Sequence, residues 1–253
     1  MSTEQRFQCF LIQAYQCAKS KDILMEADRV ITHTSHIEHP RTPNWYHGSP
    51  LAVQAAIDEL MAKPQKVRRK DSTIQSRKPR YDYRGLLACV SSYPVAVETL
   101  RHASSTEKKL ARSWVADVDE FVKSEFEDAY VGAVIHSDET FPHVHHFVVG
   151  ASTHLHPGSR AELIDGHRID DNQERIRKYK KGLSDFLDRF HARVGIKYGH
   201  VRKGNIRPSP RIRDRKTWLV EKEAARLFHE LGDADAEARA RYIFNSRDSR
   251  QRG

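Results

Sequence analysis

Residues 134–145 read V-I-H-S-D-E-T-F-P-H-V-H. Three imidazoles (His136, His143, His145) and two carboxylates (Asp138, Glu139) fall together there, between apolar runs. A neutral imidazole is a good ligand for a divalent transition metal. Residues two apart on a strand point to the same face. With 143–151 as a strand, His143 and His145 project together and Val144 points the other way. His136 ends the preceding apolar run, 129–136, and supplies a third imidazole across a short hairpin. Three imidazoles on one sheet face make a divalent-metal site with positions left open for substrate. Manganese, magnesium and zinc all fit, and nitrogen ligands favour a transition metal over magnesium. Glu139 and Asp138 can orient the histidines, or Glu139 can act as a base.

Seven of the fifteen histidines lie between residues 136 and 167, so the others in that stretch must be sorted from the ligands. His146 faces away from His143 and His145 and reads as packing or outer support. His154-Leu155-His156 is a second same-face pair, but it sits in a Pro-Gly loop and reads as a decoy.

The elements that must position this cluster follow from periodicity. Residues 7–15, 85–92, 129–136 and 143–151 are apolar, branched or aromatic runs and read as strands. Residues 51–63, 106–127 and 173–194 carry apolar stripes at helical spacing. For 106–127 the stripe is Leu110, Trp114, Val118, Phe121 and Val122, with Thr106 and Glu107 at its start. His154–Gly166 reads as a loop with turns. The link between 129–136 and 143–151 is too short for a parallel crossover, so the sheet is at least partly antiparallel. The expected class is α+β, an antiparallel central sheet with helices packed on it as a two-layer sandwich. The expected organisation is a catalytic-type domain over 1–216, a helical extension over 217–244 and a disordered tail over 245–253.

Composition narrows the partners. The net charge is +9 over 253 residues. The basic residues concentrate in two Pro- or Gly-bearing stretches. One, 63–84, includes Arg68, Arg69, Lys70 and Arg80; the other, 197–216, includes Arg202, Lys203 and Arg207. Two such stretches beside a central fold could track a phosphate backbone. Tyr81 and Tyr83, interleaved with Arg80 and Arg84, could stack on unpaired bases. No apolar run reaches the ~20 residues needed to cross a bilayer, and no secretory leader is read at Met1–Arg6. Cys9, Cys17 and Cys89 have neither metal-ribbon nor disulfide-scaffold spacing and are expected to be reduced thiols in a cytoplasmic protein.

The block from His136 to His145 resembles the H-x-D-E-x-T-P-H-x-H block of the MobV-type plasmid mobilisation relaxases (the Mob/Pre family of the HUH endonuclease superfamily). Threonine is displaced by one place. Residues 36–44, HIEHPRTPN, are similar to the family's asparagine motif, which closes here on Asn44 and includes Arg41. The resemblance spans roughly residues 5–220, with two strong blocks.

The resemblance implies metal-dependent nicking and strand transfer on single-stranded or supercoiled DNA at an origin of transfer. His136, His143 and His145 would hold a divalent metal, Mn2+ or Mg2+ first. Asn44, Arg41 and the basic residues Arg68, Arg69, Lys70, Arg80, Arg202, Lys203 and Arg207 would contact DNA. The family's first motif carries His-x-x-Arg, its histidine being the usual nucleophile. The best match here is Glu26-Ala27-Asp28-Arg29, with a glutamate in the histidine's place. Three readings stay open: Glu26 is the nucleophile, Tyr46 has taken over, or the chain binds DNA without cutting it. Arg29 would neutralise phosphate charge. An HUH replication initiator or transposase is the rival within the same chemistry. The chain is expected to be a monomeric core without much dimerisation or coupling apparatus.

Overall fold

Strand alternation sorts the apolar residues of the sheet onto two faces, and each face is covered. In the computed structural model, residues 6–35, 37–68 and 73–202 are described. The central sheet has five strands: β1 (Cys9–Gln16), β2 (Asn44–His47), β5 (Arg84–Ser92), β6 (Tyr130–His136) and β7 (His143–Val149). Their spatial order is β1-β5-β7-β6-β2, with every neighbouring pair antiparallel. Two small hairpins stand apart: β3 (Gln65–Arg68) with β4 (Ile74–Arg77), and β8 (Leu163–Ile164) with β9 (His167–Arg168).

On one face Leu87, Cys89, Ala133, Val144 and Val148 pack under α4 (Ser105–Phe126) and α7 (Asn172–Phe190). Trp114, Val118, Phe121 and Val122 from α4 meet Phe186 and Phe190 from α7 there. On the other face Leu86, Ala88, Val134 and Phe147 pack under α1 (Ser20–Ala27) and α2 (Pro50–Ala62). The α+β class and antiparallel sheet stand as expected. The expected two layers become three, because α1 and α2 cover the second face. A central strand buried on both sides reads as an unbroken apolar run rather than an alternating one, and Gly85–Cys89 is such a run.

Local chemistry sets the helix ends. Ser104 accepts from the Glu107 N–H (3.2 Å), and Glu107 accepts from the Ser104 N–H (2.9 Å). This reciprocal cap starts α4 just before the expected Thr106. Ser49 caps α2, with Pro50 in the first turn, where its missing N–H costs nothing. The stretch read as a loop after His154 holds α5 (Ser152–Leu155), α6 (Pro157–Ala161) and the β8–β9 hairpin. A short α3 (Val97–His102) precedes α4. Backbone contacts divide the chain into units Met1–Lys203 and Gly204–Gly253. The second unit, with the expected extension 217–244 and tail 245–253, lies outside the described residues. Among the described residues no helix is long and apolar enough to cross a membrane, and the three cysteines are free thiols.

His200 gives the fold a pH signature. Its ring is buried beside Tyr93 and Trp114, with centroids 5.7 Å and 6.5 Å away. Burial first, then the charges of Arg6 and His191, lower its pKa to about 4. An unfolded histidine titrates at about 6.5. Between about pH 6.5 and 4 the unfolded chain therefore binds a proton that the folded ring refuses. The stability contributed by the neutral ring is whole above that window and is lost as pH falls through it. In His200→Gln, the slope of unfolding free energy against pH should be shallower by about one proton across this window. Urea unfolding at stepped pH measures it, and an unchanged slope contradicts the assignment.

Candidate metal centre and its surroundings

The register of β6 with β7 builds the cluster. His136 pairs directly opposite His143, and Val134 opposite His145. The three imidazoles share the sheet face covered by α1 and α2, with centroids 4.8–5.2 Å apart. One ring nitrogen from each lies within 4.8 Å of the others.

Two of the three tautomers are set by backbone carbonyls, which can only accept. His136 donates from Nε2 to the carbonyl of Ala27 (2.8 Å). That leaves Nδ1 as a lone pair, buried and without a partner. His143 donates from Nδ1 to the carbonyl of Phe141 (2.9 Å), and its Nε2 lies 3.6 Å from Glu139 Oε1. Burial, then the Arg29 charge, lowers His136 to a pKa of about 4. Burial, then the neighbouring His143 and His136, holds His145 well below its ordinary value. His136 and His145 are thus neutral at physiological pH, the form that binds metal. An orphaned buried lone pair beside two more ring nitrogens fits a divalent cation.

An ion cluster closes one side. Arg29 follows α1 with φ 57°, in the left-handed region. Its guanidinium grips Asp138 with two bonds, Nη2–Oδ1 at 2.7 Å and Nε–Oδ2 at 3.0 Å, and Nη2 also reaches Glu139 Oε1 at 3.0 Å. The Arg29 and Asp138 side chains are 4% and 1% exposed. Asp138 Oδ2 further accepts from the Arg41 N–H (3.1 Å). Burial pulls the Asp138 carboxyl upward, but these donors and the Arg29 charge outweigh it and hold it below its usual value. Arg29, expected to meet phosphate, has its charge met by two carboxylates. Glu139 sits between Arg29 and His143, where it can bear on the cluster.

Trp45 and Asp28 were not singled out in the sequence. Trp45 Nε1 donates to Asp28 Oδ1 (2.9 Å), and its ring stacks on Phe147 (5.5 Å), which in turn stacks on His145 (6.4 Å). The pair ties the end of α1 to the floor under the cluster. The sequence carried a weak signal for it, a tryptophan next to Asn44.

The other predicted residues scatter. Glu26 lies on α1 beside Ala27, whose carbonyl holds His136. Tyr46 is not brought to the cluster. Its hydroxyl hydrogen-bonds Asp119 and Tyr130, and burial with the Asp119 charge raises its pKa. Those partners lie on the α4 side of the sheet. Trp45 takes the face of β2 that carries the imidazoles, so Tyr46 takes the other, away from them. Asn44 pairs with Ile135, and alternation places it with Tyr46. His146, as expected, faces away from the cluster. Ser91 donates to its Nε2 (3.2 Å), and its Nδ1 donates to the Tyr130 hydroxyl (3.2 Å), which donates to Asp119 (2.6 Å). Burial lowers the His146 pKa to about 3. His156, read as a decoy, caps α6 through Ser159 and stacks on Tyr179 (5.5 Å).

Of the basic residues, Arg41 is exposed beside the ion cluster. Arg80 is exposed and lies 3.4 Å from Asp82. Arg202 bonds Asp188 (2.7 Å). Arg68 ends β3. Arg69, Lys70, Lys203 and Arg207 lie outside the described residues.

No protein-family model matches the sequence, and no curated protein matches it. Solved structures do match in fold. One is the MobM relaxase domain (MobV, Mob/Pre) bound to 22-nucleotide plasmid pMV158 oriT DNA, a Mn-bound crystal structure at pH 5.5. It has a TM-score of 0.51 and 12% identity over 85% of this chain and 98% of that one. A second, the same domain with a 3′-thiophosphate strand at pH 6.8, has a TM-score of 0.52 and 11% identity over the same shares. The chain has the fold of the MobV relaxase domain.

Arg29 and Asp138 form a buried pair, so removing one partner strands the other. Arg29→Ala should destabilise the fold by about 3–5 kcal/mol. Arg80→Ala, which removes an exposed pair, should change stability by less than about 1 kcal/mol. Urea midpoints of the two variants give the comparison, and equal losses would contradict the ion cluster's role.

Proposed function

We propose that the chain is a relaxase-like, metal-dependent nicking and strand-transfer enzyme acting on single-stranded DNA at a plasmid or mobile-element origin. One observation carries this reading: three imidazoles with converging ring nitrogens, one of them a buried, unpartnered lone pair, on a sheet with the relaxase fold. His136, His143 and His145 would hold Mn2+ or Mg2+, a cation that grips and polarises the scissile phosphate. Arg29 positions Asp138 and Glu139 around them. Glu139 is the carboxylate placed to orient His143 or to move a proton.

Glu26 is the nucleophile in this reading, and Tyr46 is set aside because its hydroxyl is committed on the opposite face. The Glu26 carboxylate oxygen forms a bond to phosphorus as the bond from phosphorus to the 3′ oxygen breaks. The 3′ oxygen takes a proton and leaves as a hydroxyl. The 5′ side of the strand stays on Glu26 as an acyl phosphate until a 3′ hydroxyl displaces it, so the bond energy is kept without ATP. Arg41, Arg80 and Arg202 on the described surface, with Arg68, Arg69, Lys70, Lys203, Arg207 and Asn44, are the proposed DNA contacts. The second reading is a DNA-binding protein that does not cut. What favours it is Glu26 itself, since an acyl phosphate to DNA is labile to water.

Purified protein incubated with Mn2+ and single-stranded DNA from its own upstream region should give a covalent adduct on a denaturing gel. The adduct should vanish in Glu26→Ala and persist in Tyr46→Phe. Shifted DNA with no adduct in any of the three proteins would establish the binding-only reading. His143→Ala should lower Mn2+ affinity by about 100-fold or more while leaving the unfolding midpoint near that of the wild type. Undiminished Mn2+ binding in that variant would remove the cluster assignment.

A further inference from the structure

The segment between β6 and β7 presents an aromatic ring to solvent, two residues before His143 and joined to it through the main chain. Phe141 is 44% exposed. Its backbone is held on every side. The Thr140 carbonyl accepts from the Val97 N–H, and the Pro142 carbonyl from the Tyr93 N–H, both at 2.9 Å. The Phe141 carbonyl accepts from His143 Nδ1 at 2.9 Å. Upstream, Asp138 is locked by Arg29 and by the Arg41 N–H. Pro142 has a fixed φ, and it confines the residue before it to extended conformations. A loop of this kind has almost no freedom left to tuck its phenyl ring into a core. The ring leaves nearly half of its surface to solvent where it stands.

We infer that Phe141 is a stacking platform for the unpaired nucleobase next to the phosphate bound at the imidazoles. The inference rests on the DNA reading proposed above and names a residue that selects single strands within it. Each phosphate of a strand is flanked by bases, and a base can reach an exposed ring only when it is unpaired. Every base has a π face, so this contact favours single over double strands without reading sequence. Because the loop is already rigid, little further ordering is needed when a base docks. The Arg41 backbone is pinned to the same Asp138, so its exposed side chain is available to a neighbouring phosphate.

The test measures affinity of the full chain, with Mn2+, for two fluorescent single strands: oligothymidylate and an abasic strand of equal length. Wild type, Phe141→Ala and Phe141→Trp are compared. Phe141→Ala should bind oligothymidylate about 5- to 100-fold more weakly, while Phe141→Trp keeps wild-type affinity. On the abasic strand the three proteins should bind alike, because no base remains to stack. Mn2+ affinity should be unchanged throughout, since the contact to His143 is made by the main chain. If wild type binds oligothymidylate and Phe141→Ala binds it equally well, the stacking role is overturned and the DNA reading stands. An equal loss on both strands overturns it too, because the ring would then be acting on something other than a base. Failure of wild type to bind any single strand would bring down the DNA reading itself.

Discussion

Everything at the candidate site hangs on the antiparallel register of β6 against β7. His136 stands opposite His143 and Val134 opposite His145. A slip of one residue in either strand would turn its histidines to the α4 face and break the cluster apart. The register is held from that opposite face. Val144 and Val148 fill the core under α4 and α7, while His146 is fully buried and bonded on both ring nitrogens. If β7 slipped by one, His146 would lose Ser91 and Tyr130, and a buried unpartnered imidazole costs more than its bonds are worth when made. The polar network on one face thus specifies the geometry of the cluster on the other.

Three imidazoles packed together is a costly arrangement, and the chain shows how the cost is met. Burial keeps His136 and His145 neutral, which avoids like-charge repulsion between them. Two carbonyls, of Ala27 and Phe141, absorb one N–H each and choose which nitrogen stays basic. Arg29 also disfavours a charged His136. That buried guanidinium must itself be neutralised, and Asp138 does so with two bonds. The chain of compensation explains why α1 has to end where it does. Its last carbonyl faces His136, and the left-handed turn at Arg29 aims the side chain at the loop between β6 and β7. Asp28, between them, is taken by Trp45. The E-A-D-R stretch is therefore a set of consecutive groups aimed at three different partners.

Much of this was legible in the sequence, and the misses have physical causes. Strands β5, β6 and β7 and helices α2, α4 and α7 are long and strongly patterned, so periodicity located them. His143 and His145 followed from strand alternation alone. Helix α1 is eight residues long and β2 only four, too short for a periodic pattern to rise above chance. The face that Tyr46 takes was not legible because β2 went unrecognised. Without a strand there was no alternation to show that Trp45, and not Tyr46, faces the metal side. The second helical layer was missed for the same reason, since a buried central strand carries no polar face to announce which side is covered. Arg29 was expected at a phosphate because its partners, Asp138 and Glu139, lie far away in sequence and no local pattern couples them.

The two faces of the sheet divide the work, and this bears on how a nucleophile could be replaced. On the α4 side Tyr130 and His146 are buried, and Tyr46, Tyr130, His146 and Asp119 form one hydrogen-bonded network, with Tyr46 at its exposed end. Residues on the α1 side are held from behind and open toward the loop that carries Glu139 and Phe141. A substitution that introduces a nucleophile on β2 at an even position would place it behind the sheet. One in the last turn of α1 stays beside the carbonyl that orients His136. Glu26 stands in that turn, one residue before Ala27. On the proposed route the link to DNA would be an acyl phosphate, which water cleaves more readily than a phosphotyrosine ester, so transfer by Glu26 would have to outpace hydrolysis.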